Sequence, residues 1–206
     1  TPGTYTVTYT TSGTCPGSST QNVTIITLDN ASFNYGAAAY CANNSDPTPT
    51  ILGLPGGSFS AGAGLSINAS TGSIDVSAST PGTYTVTYTT SGSCPNSSSV
   101  SVTINALDNA SFTYGGTTTF CTNGPDPIAT ITGLGGGSFS SGAGLAINAA
   151  NGTIDVSAST PGTYTVTYTT SGTCPNSSSL GVTINALDNA SFNYSAASYC
   201  SNGTDP

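Results

Sequence analysis

The chain has 206 residues and contains no Lys, Arg or His, and its eight acidic side chains give a net charge of −8. Binding of nucleic acid phosphates or of anionic lipid headgroups requires Lys or Arg, so the composition excludes both partners. No apolar run approaches the roughly 20 residues of a membrane-spanning helix, which argues against direct membrane insertion. Six cysteines in a chain with few other metal-binding side chains indicate an oxidising compartment.

Internal repeats organise the sequence. The string TPGTYTVTYTTSG begins at Thr1, Thr80 and Thr160, and LDNASF begins at Leu28, Leu107 and Leu187. These strings predict two complete repeats of about 80 residues, at 28–106 and 107–186. Residues 1–27 are expected to be the C-terminal part of a preceding repeat, and 187–206 the N-terminal part of a following one. We therefore expect the chain to be a section of a longer array.

Short strands separated by turn residues make up the first complete repeat. Polar–apolar alternation and Gly, Pro and Asp turn signals predict seven strands and no helix: Phe33–Tyr35, Ala38–Cys41, Thr50–Leu54, Gly64–Ile67, Ser73–Val76, Thr83–Thr89 and Val100–Ile104. The last two flank a turn-rich segment and form a hairpin. This pattern predicts an all-β fold of tandem Ig-like β-sandwich repeats.

The alternation also predicts the core. In the segment TYTVTYT the side chains of Tyr84, Val86 and Tyr88 share one face, and threonines occupy the other. Val102 and Ile104 continue the apolar face on the next strand. Threonine suits the solvated face of a strand because it is β-branched and polar.

The cysteine spacing leaves two disulfide patterns to consider. Cys41 can pair with Cys94 inside a repeat, or with Cys15 across a junction. If the strand ending at Cys41 finishes at the same end of the sandwich as the hairpin turn carrying Cys94, the first pattern is favoured. We therefore predict one disulfide within each repeat, worth about 4 kcal/mol by loop entropy, whereas zinc binding and interchain bridges are disfavoured. The predicted pairs are Cys41–Cys94 and Cys121–Cys174, with Cys15 and Cys200 pairing outside residues 1–206.

A family resemblance rests on the segment GLSINASTGSIDVSASTPGTYTVTYTTSG, residues 64–92. Its GL-x-IN-x-x-TG-x-I core followed by PGTYTVT resembles the Ig-like and cadherin-like repeats of very large bacterial surface proteins. The YC…DP and SG-x-CP elements resemble repeats of giant Bacteroidota adhesins, including gliding-motility adhesins. The resemblance implies a secreted protein anchored at the bacterial cell surface.

Catalysis has little support in the sequence, and we expect no enzyme activity. Without His, Lys or Glu, no Ser or Cys has an evident general base. No cofactor is expected, but calcium is an alternative to consider, with ligands among Asp29, Asp46, Asp108 and Asp126. The simpler interpretation is that these carboxylates fix turns. An ice-binding threonine surface is disfavoured, because a twisted sandwich offers no continuous flat array.

The expected function is mechanical. We expect a stiff, disulfide-stabilised stalk of an extracellular adhesin or filament, in which neighbouring repeats of the same chain are the main partners. The alternative is that the repeats themselves bind a ligand or associate with identical chains to form a multichain fibre.

Overall fold

The computed structural model describes residues 1–198, 200, 201 and 203. Within this part of the chain all regular structure is β-strand, so no helix there could cross a membrane. The chain divides into two compact units, Thr1–Leu107 and Asp108–Pro206. The expected fragment 187–206 lies partly outside the described residues.

The first unit contains ten strands. A two-stranded hairpin comes first and a larger assembly follows: β1 (Gly3–Thr10), β2 (Ser18–Ile25), β3 (Phe33–Asn34), β4 (Ala39–Cys41), β5 (Thr50–Ile51), β6 (Ser58–Ala61), β7 (Ser66–Ile67), β8 (Ile74–Asp75), β9 (Gly82–Thr89) and β10 (Ser97–Asn105).

The second unit repeats the larger assembly. Its strands are β11 (Phe112–Thr113), β12 (Thr119–Cys121), β13 (Thr130–Ile131), β14 (Ser138–Ser141), β15 (Ala146–Ile147), β16 (Ile154–Asp155), β17 (Gly162–Thr169) and β18 (Ser177–Asn185).

Each larger assembly is a small β-sandwich. In the first unit the main sheet has the order β4-β10-β9-β6, and the short pairs β3–β5 and β7–β8 contribute to the same core. Strand β9 is antiparallel to both of its neighbours, whereas β4 runs parallel to β10. The second unit has the same order, β12-β18-β17-β14. The predicted all-β sandwich is confirmed, and β6, which the sequence pattern did not predict, completes the main sheet.

The core lies on the predicted face of the final hairpin. Val86 and Tyr88 have no exposed surface, and Val102 and Ile104 are 1% exposed, while Tyr84 is half-buried against the same cluster. The equivalents in the second unit are buried to the same extent. Burial of side chains of this size stabilises a fold by about 1.5–3 kcal/mol each.

The hairpin β1–β2 shows that the rest of the sandwich is needed to bury the apolar face of this sequence. Its sequence GTYTVTYT is the same as that of β9, yet Tyr5, Val7 and Tyr9 are 44%, 55% and 69% exposed. In the complete repeat these positions are covered by side chains from residues 28–79, such as Phe33.

The disulfide pattern differs from the prediction. Cys41 and Cys174 are disulfide-bonded, whereas Cys94 and Cys121 carry free thiols, as do Cys15 and Cys200. The predicted pairs Cys41–Cys94 and Cys121–Cys174 are therefore wrong.

Strand direction explains the error. Cys41 is the register partner of Asn105, the last residue of β10. Cys94 precedes the first residue of the same strand, Ser97. The intervening strand is about 26 Å long at 3.3 Å per residue, whereas a disulfide tolerates a Cα separation of at most about 7 Å. The parallel pairing of β4 with β10 thus places the two cysteines at opposite ends of the repeat.

Candidate functional site

The two ends of each repeat hold its cysteines, and each cysteine lies beside backbone hydrogen bonds that recur in both repeats. We call the end formed by Asp29 and the β9–β10 turn the leading end, and the end formed by Cys41 and Asn105 the trailing end. The corresponding ends of the second repeat are formed by Asp108 with the β17–β18 turn, and by Cys121 with Asn185.

At the leading end, Asp29 holds the hairpin turn. Its backbone N–H donates to the carbonyl of Cys94 at 2.9 Å. The Thr90 hydroxyl donates to the Asp29 carboxylate at 2.9 Å, and the Asn96 side-chain amide donates to the Asp29 carbonyl at 3.0 Å. The cysteine turn is thereby fixed to the first residues of the repeat.

The packing around Asp29 leaves no room for a larger residue in the turn. A Cβ placed on Gly92 would lie 2.5 Å from an oxygen of the Asp29 carboxylate. Glycine is therefore required here by close approach.

The second repeat has the same leading end. The Asp108 N–H donates to the Cys174 carbonyl at 2.9 Å. The Thr170 hydroxyl donates to the Asp108 carboxylate at 2.9 Å, and the Asn176 amide donates to the Asp108 carbonyl at 3.1 Å. Cys174 and Cys94 thus occupy equivalent positions, although only Cys174 is bonded.

At the trailing end, a tight turn presents Cys41. The Cys41 N–H donates to the Asn44 side-chain oxygen at 2.7 Å, and the Asn44 N–H donates to the Cys41 carbonyl at 2.9 Å. The next residue, Ala42, donates to the Asn105 carbonyl at 3.1 Å. In the second repeat the Thr122 N–H donates to the Asn185 carbonyl at the same distance, which places Cys121 equivalently.

The remaining carboxylates stabilise loops. The Asp46 carboxylate accepts a hydrogen bond from the Val76 N–H at 3.1 Å. The Asp75 carboxylate accepts from the Ala78 N–H at 2.9 Å and from the Ser77 hydroxyl at 2.8 Å. These hydrogen bonds, that from Ala78 first, lower the pKa of Asp75, and the equivalent bonds lower the pKa of Asp155. Every buried polar side-chain atom in the described part of the chain has a hydrogen-bond partner.

The calcium candidates do not form a ligand cluster. Within the described residues, no group of three or more His, Cys, Asp or Glu side chains lies close enough to hold a metal ion. Asp29 is bound to the hairpin turn, whereas Asp46 is bound to Val76, next to β8. In the second repeat, Asp108 and Asp126 are likewise bound to two separate residues, Thr170 and Val156. Calcium binding remains a prediction that these contacts do not favour.

A shallow cleft lies beside each trailing end. In the second repeat it has a volume of about 590 Å³ and is lined by Tyr114, Phe120, Cys121 and Asp126, among others. The Asp126 carboxylate accepts the Val156 N–H at 3.0 Å. Burial raises the pKa of Tyr114 to about 12, and its hydroxyl donates to a backbone carbonyl, so this phenol stays neutral. The cleft therefore offers a small, mostly apolar surface.

Thr90, Asn96 and Asn105 are site residues that the sequence pattern did not single out. Their signal is present in the sequence, because all three recur in the second repeat, as Thr170, Asn176 and Asn185. Recurrence alone does not reveal which strand lies beside which cysteine.

Comparisons with known proteins give only distant similarities. No family profile and no curated protein matches the chain. Among solved structures, mouse cadherin-23 EC22-24 has a TM-score of 0.35 and 16% identity, covering 89% of this chain and 74% of that one. A calcium-stabilised adhesin that helps an Antarctic bacterium bind ice has a TM-score of 0.41 and 14% identity, covering 90% of this chain and 57% of that one. Protocadherin gamma B2 domains 3–6 have a TM-score of 0.34 at 15% identity, and this chain covers 59% of their length. At these scores the similarities carry no functional argument.

Proposed function

We propose that this chain is a structural segment of an extracellular adhesin-type protein, in which tandem β-sandwich repeats form a stiff spacer. The observation that carries the proposal is the recurrence of the leading and trailing ends in both repeats. The Asp29 contacts recur at Asp108, and the Cys41 register recurs at Cys121. A function that depends on a unique site would not require identical ends, whereas a function that depends on length does.

The chemistry of the chain favours an extracellular setting. Cys41 and Cys174 are oxidised, and disulfides persist mainly in secreted and surface proteins. The chain contains no Lys or Arg, so proteases that cut after basic residues have no target in it. Attachment to a bacterial cell surface is part of the proposal and is supported by the repeat motifs GL-x-IN-x-x-TG-x-I and PGTYTVT.

The short connection between repeats supports stiffness. Strand β10 ends at Asn105, and Asp108 is already hydrogen-bonded in the next repeat. Two residues therefore separate the ordered contacts of one repeat from those of the next, which leaves little flexible chain.

One feature of the hairpin favours the alternative of a multichain fibre. The outward face of the hairpin carries hydroxyl pairs, Thr83 with Thr103 at 3.0 Å and Thr87 with Ser99 at 2.8 Å, and it lacks charge. Opposing this, the edge strands of the main sheet, β4 and β6, have only three and four residues. Short edges are a recognised protection against strand-to-strand association.

Imaging and sedimentation of the 206-residue chain test the proposal. We expect a monomer across a hundredfold concentration range, and threads one repeat wide in negative-stain micrographs of the protein that contains these repeats. Lateral bundles, or a concentration-dependent increase in sedimentation coefficient, would support the fibre alternative and overturn the spacer. A hairpin variant, Thr83→Asp with Thr87→Asp, would abolish association through the hydroxyl face and leave a monomeric spacer unchanged.

A further inference from the structure

We propose that the turn between β7 and β8, and its counterpart between β15 and β16, is a site of covalent sugar attachment through an Asn side chain. The acceptor is Asn68 in the first repeat and Asn151 in the second. The donor is an oligosaccharide carried on a lipid pyrophosphate. The inference rests on the extracellular setting of the proposed function, and it adds one sugar chain to each repeat.

The first argument is that the acceptor motif is kept at this turn although its position changes. N-linked sugars are attached at Asn-x-Ser or Asn-x-Thr, where x is not Pro. The turn of the first repeat reads NASTGS, residues 68–73, and has the motif at Asn68. The turn of the second repeat reads NAANGT, residues 148–153, and has the motif at Asn151.

The differences between the two turns move the motif by three residues and do not abolish it. Three positions differ: Ser70 corresponds to Ala150, Thr71 to Asn151 and Ser73 to Thr153. The first difference removes the motif at Asn148, and the other two together create it at Asn151. A turn with a purely structural role has no need of the restored motif.

The second argument is the geometry of the turn, whose tip is exposed and whose base is fixed. Residues 68–71 are all exposed, whereas Gly72 is buried. The Gly72 carbonyl accepts the Tyr35 hydroxyl at 2.6 Å, and a Cβ on Gly72 would lie 2.6 Å from the Pro49 side chain. Residues 148–151 are likewise exposed in the second repeat. The base packs against the repeat, so the tip has room for a bulky polar group.

The acceptor amides are held through their oxygen atoms. The Asn68 side-chain oxygen accepts the N–H groups of Ser70 and Thr71 at 2.9 and 3.0 Å. The Asn151 side-chain oxygen accepts the N–H of Thr153 at 3.0 Å. These bonds orient each amide but do not use its nitrogen, which is the atom that takes the sugar. A sugar can therefore be added without breaking them.

Copies of the motif at the leading end have the opposite arrangement. Asn96 is half-buried, and its side-chain nitrogen donates to the Asp29 carbonyl at 3.0 Å. The second repeat has the same contact at Asn176. Asn30 is packed against the chain, since a Cβ on Gly53 would lie 2.9 Å from its Cγ. These side chains hold the leading end together, and we expect them to remain unmodified.

The attachment is a group transfer without oxidation or reduction. The Asn side-chain nitrogen forms a bond to the anomeric carbon of the sugar, and the bond from that carbon to the pyrophosphate oxygen breaks. The amide loses one proton, and the lipid pyrophosphate leaves with the electron pair. A membrane-bound glycosyltransferase of the producing cell supplies the catalyst. The product places a bulky, solvating group on the surface of every repeat.

Peptide mapping of the protein purified from the cells that produce it tests the proposal. Cleavage before each Asp places Asn68 in peptide 46–74 and Asn151 in peptide 126–154. Electron-transfer fragmentation, which leaves a sugar attached, then locates the sugar on an individual Asn. We expect a sugar on Asn68 and on Asn151, and none on Asn148. Sugar-free peptides 46–74 and 126–154 would overturn the proposal.

Variants of the 206-residue chain, secreted from the same cells, complete the test. Ser70→Ala should remove the sugar of the first repeat, and it introduces the residue that the second repeat has naturally, so the turn keeps its fold. Ala150→Ser with Thr153→Ala should move the sugar of the second repeat from Asn151 to Asn148. A sugar that stays at an Asn whose motif is lost would overturn the proposal. A monomeric chain without sugar would overturn this inference and leave the spacer function intact.

Discussion

Replacement of Tyr88 by Phe is expected to destabilise the first repeat through the loss of a single hydroxyl. Tyr88 has no exposed surface, and its hydroxyl donates to the Leu54 carbonyl at 2.7 Å while it accepts the Gly57 N–H at 2.9 Å. The ring remains in Tyr88→Phe, so hydrophobic burial is retained, but two backbone groups lose their partner.

The expected cost follows from these two contacts. A buried group left without its hydrogen bond costs about 1–3 kcal/mol, and the Leu54 and Gly57 backbone is only partly buried, so we expect about 1–3 kcal/mol in total. For a domain of this size, that corresponds to a melting temperature lower by roughly 4–24 °C. The equivalent change Tyr168→Phe should give the same loss in the second repeat, because its two distances are identical.

The chain contains a matched control for this measurement. Tyr9 occupies the same position in the same sequence, TYTVTYT, but is 69% exposed. We expect Tyr9→Phe to leave the urea unfolding midpoint unchanged. If Tyr88→Phe is as stable as Tyr9→Phe, the two hydrogen bonds of the Tyr88 hydroxyl do not stabilise the repeat.

Three further predictions concern a turn, acid stability and calcium. Gly57→Ala should lower the urea unfolding midpoint strongly, because the added Cβ would lie 2.1 Å from the Thr89 carbonyl oxygen. Gly62→Ala is the control and should leave the midpoint unchanged, because no atom lies within 4 Å of its added Cβ. Equal midpoints for the two variants would show that the turn at Gly57 adapts to the larger residue. Hydrogen bonds lower the pKa of Asp75 and Asp155 in the folded state. The two carboxylates therefore stabilise the fold at a pH above their unfolded pKa of about 3.9, and this stability is lost as the pH falls through their lower folded pKa. An Asp-to-Asn double variant should therefore show a smaller fall in melting temperature from pH 5 to pH 2, and an unchanged fall would argue against this contribution. Addition of calcium after EDTA treatment should leave the melting temperature unchanged, and an increase would show that the acidic side chains bind the ion.

Local patterns in the sequence predict the strands and the core well. Alternation in TYTVTYT identifies the buried face of β9, because side chains on a strand point to opposite sides at every residue. Strand β6 is harder to predict, since Ser58–Ala61 contains a single large apolar residue, Phe59, and its burial depends on pairing with β9. Tertiary pairing of this kind leaves no periodic signal in four residues.

The disulfide pairing could not be predicted from the same patterns. The spacing of the cysteines is compatible with several pairings, and the choice depends on whether the strand ending at Cys41 runs parallel or antiparallel to its neighbour. A parallel neighbour, β10, moves Cys41 to the trailing end and away from Cys94. Strand direction is decided by long-range packing, so a short segment such as AYC does not encode it locally.

Extension of the single chain under force is the most direct test of repeats that carry load. With handles at the two termini and dithiothreitol present, we expect one abrupt unfolding step for each complete repeat, with a gain of up to about 270 Å per step, because about 80 residues extend at 3.3–3.6 Å each. Smooth extension without such steps would contradict a load-bearing spacer, because the repeats would then not resist tension as separately folded modules.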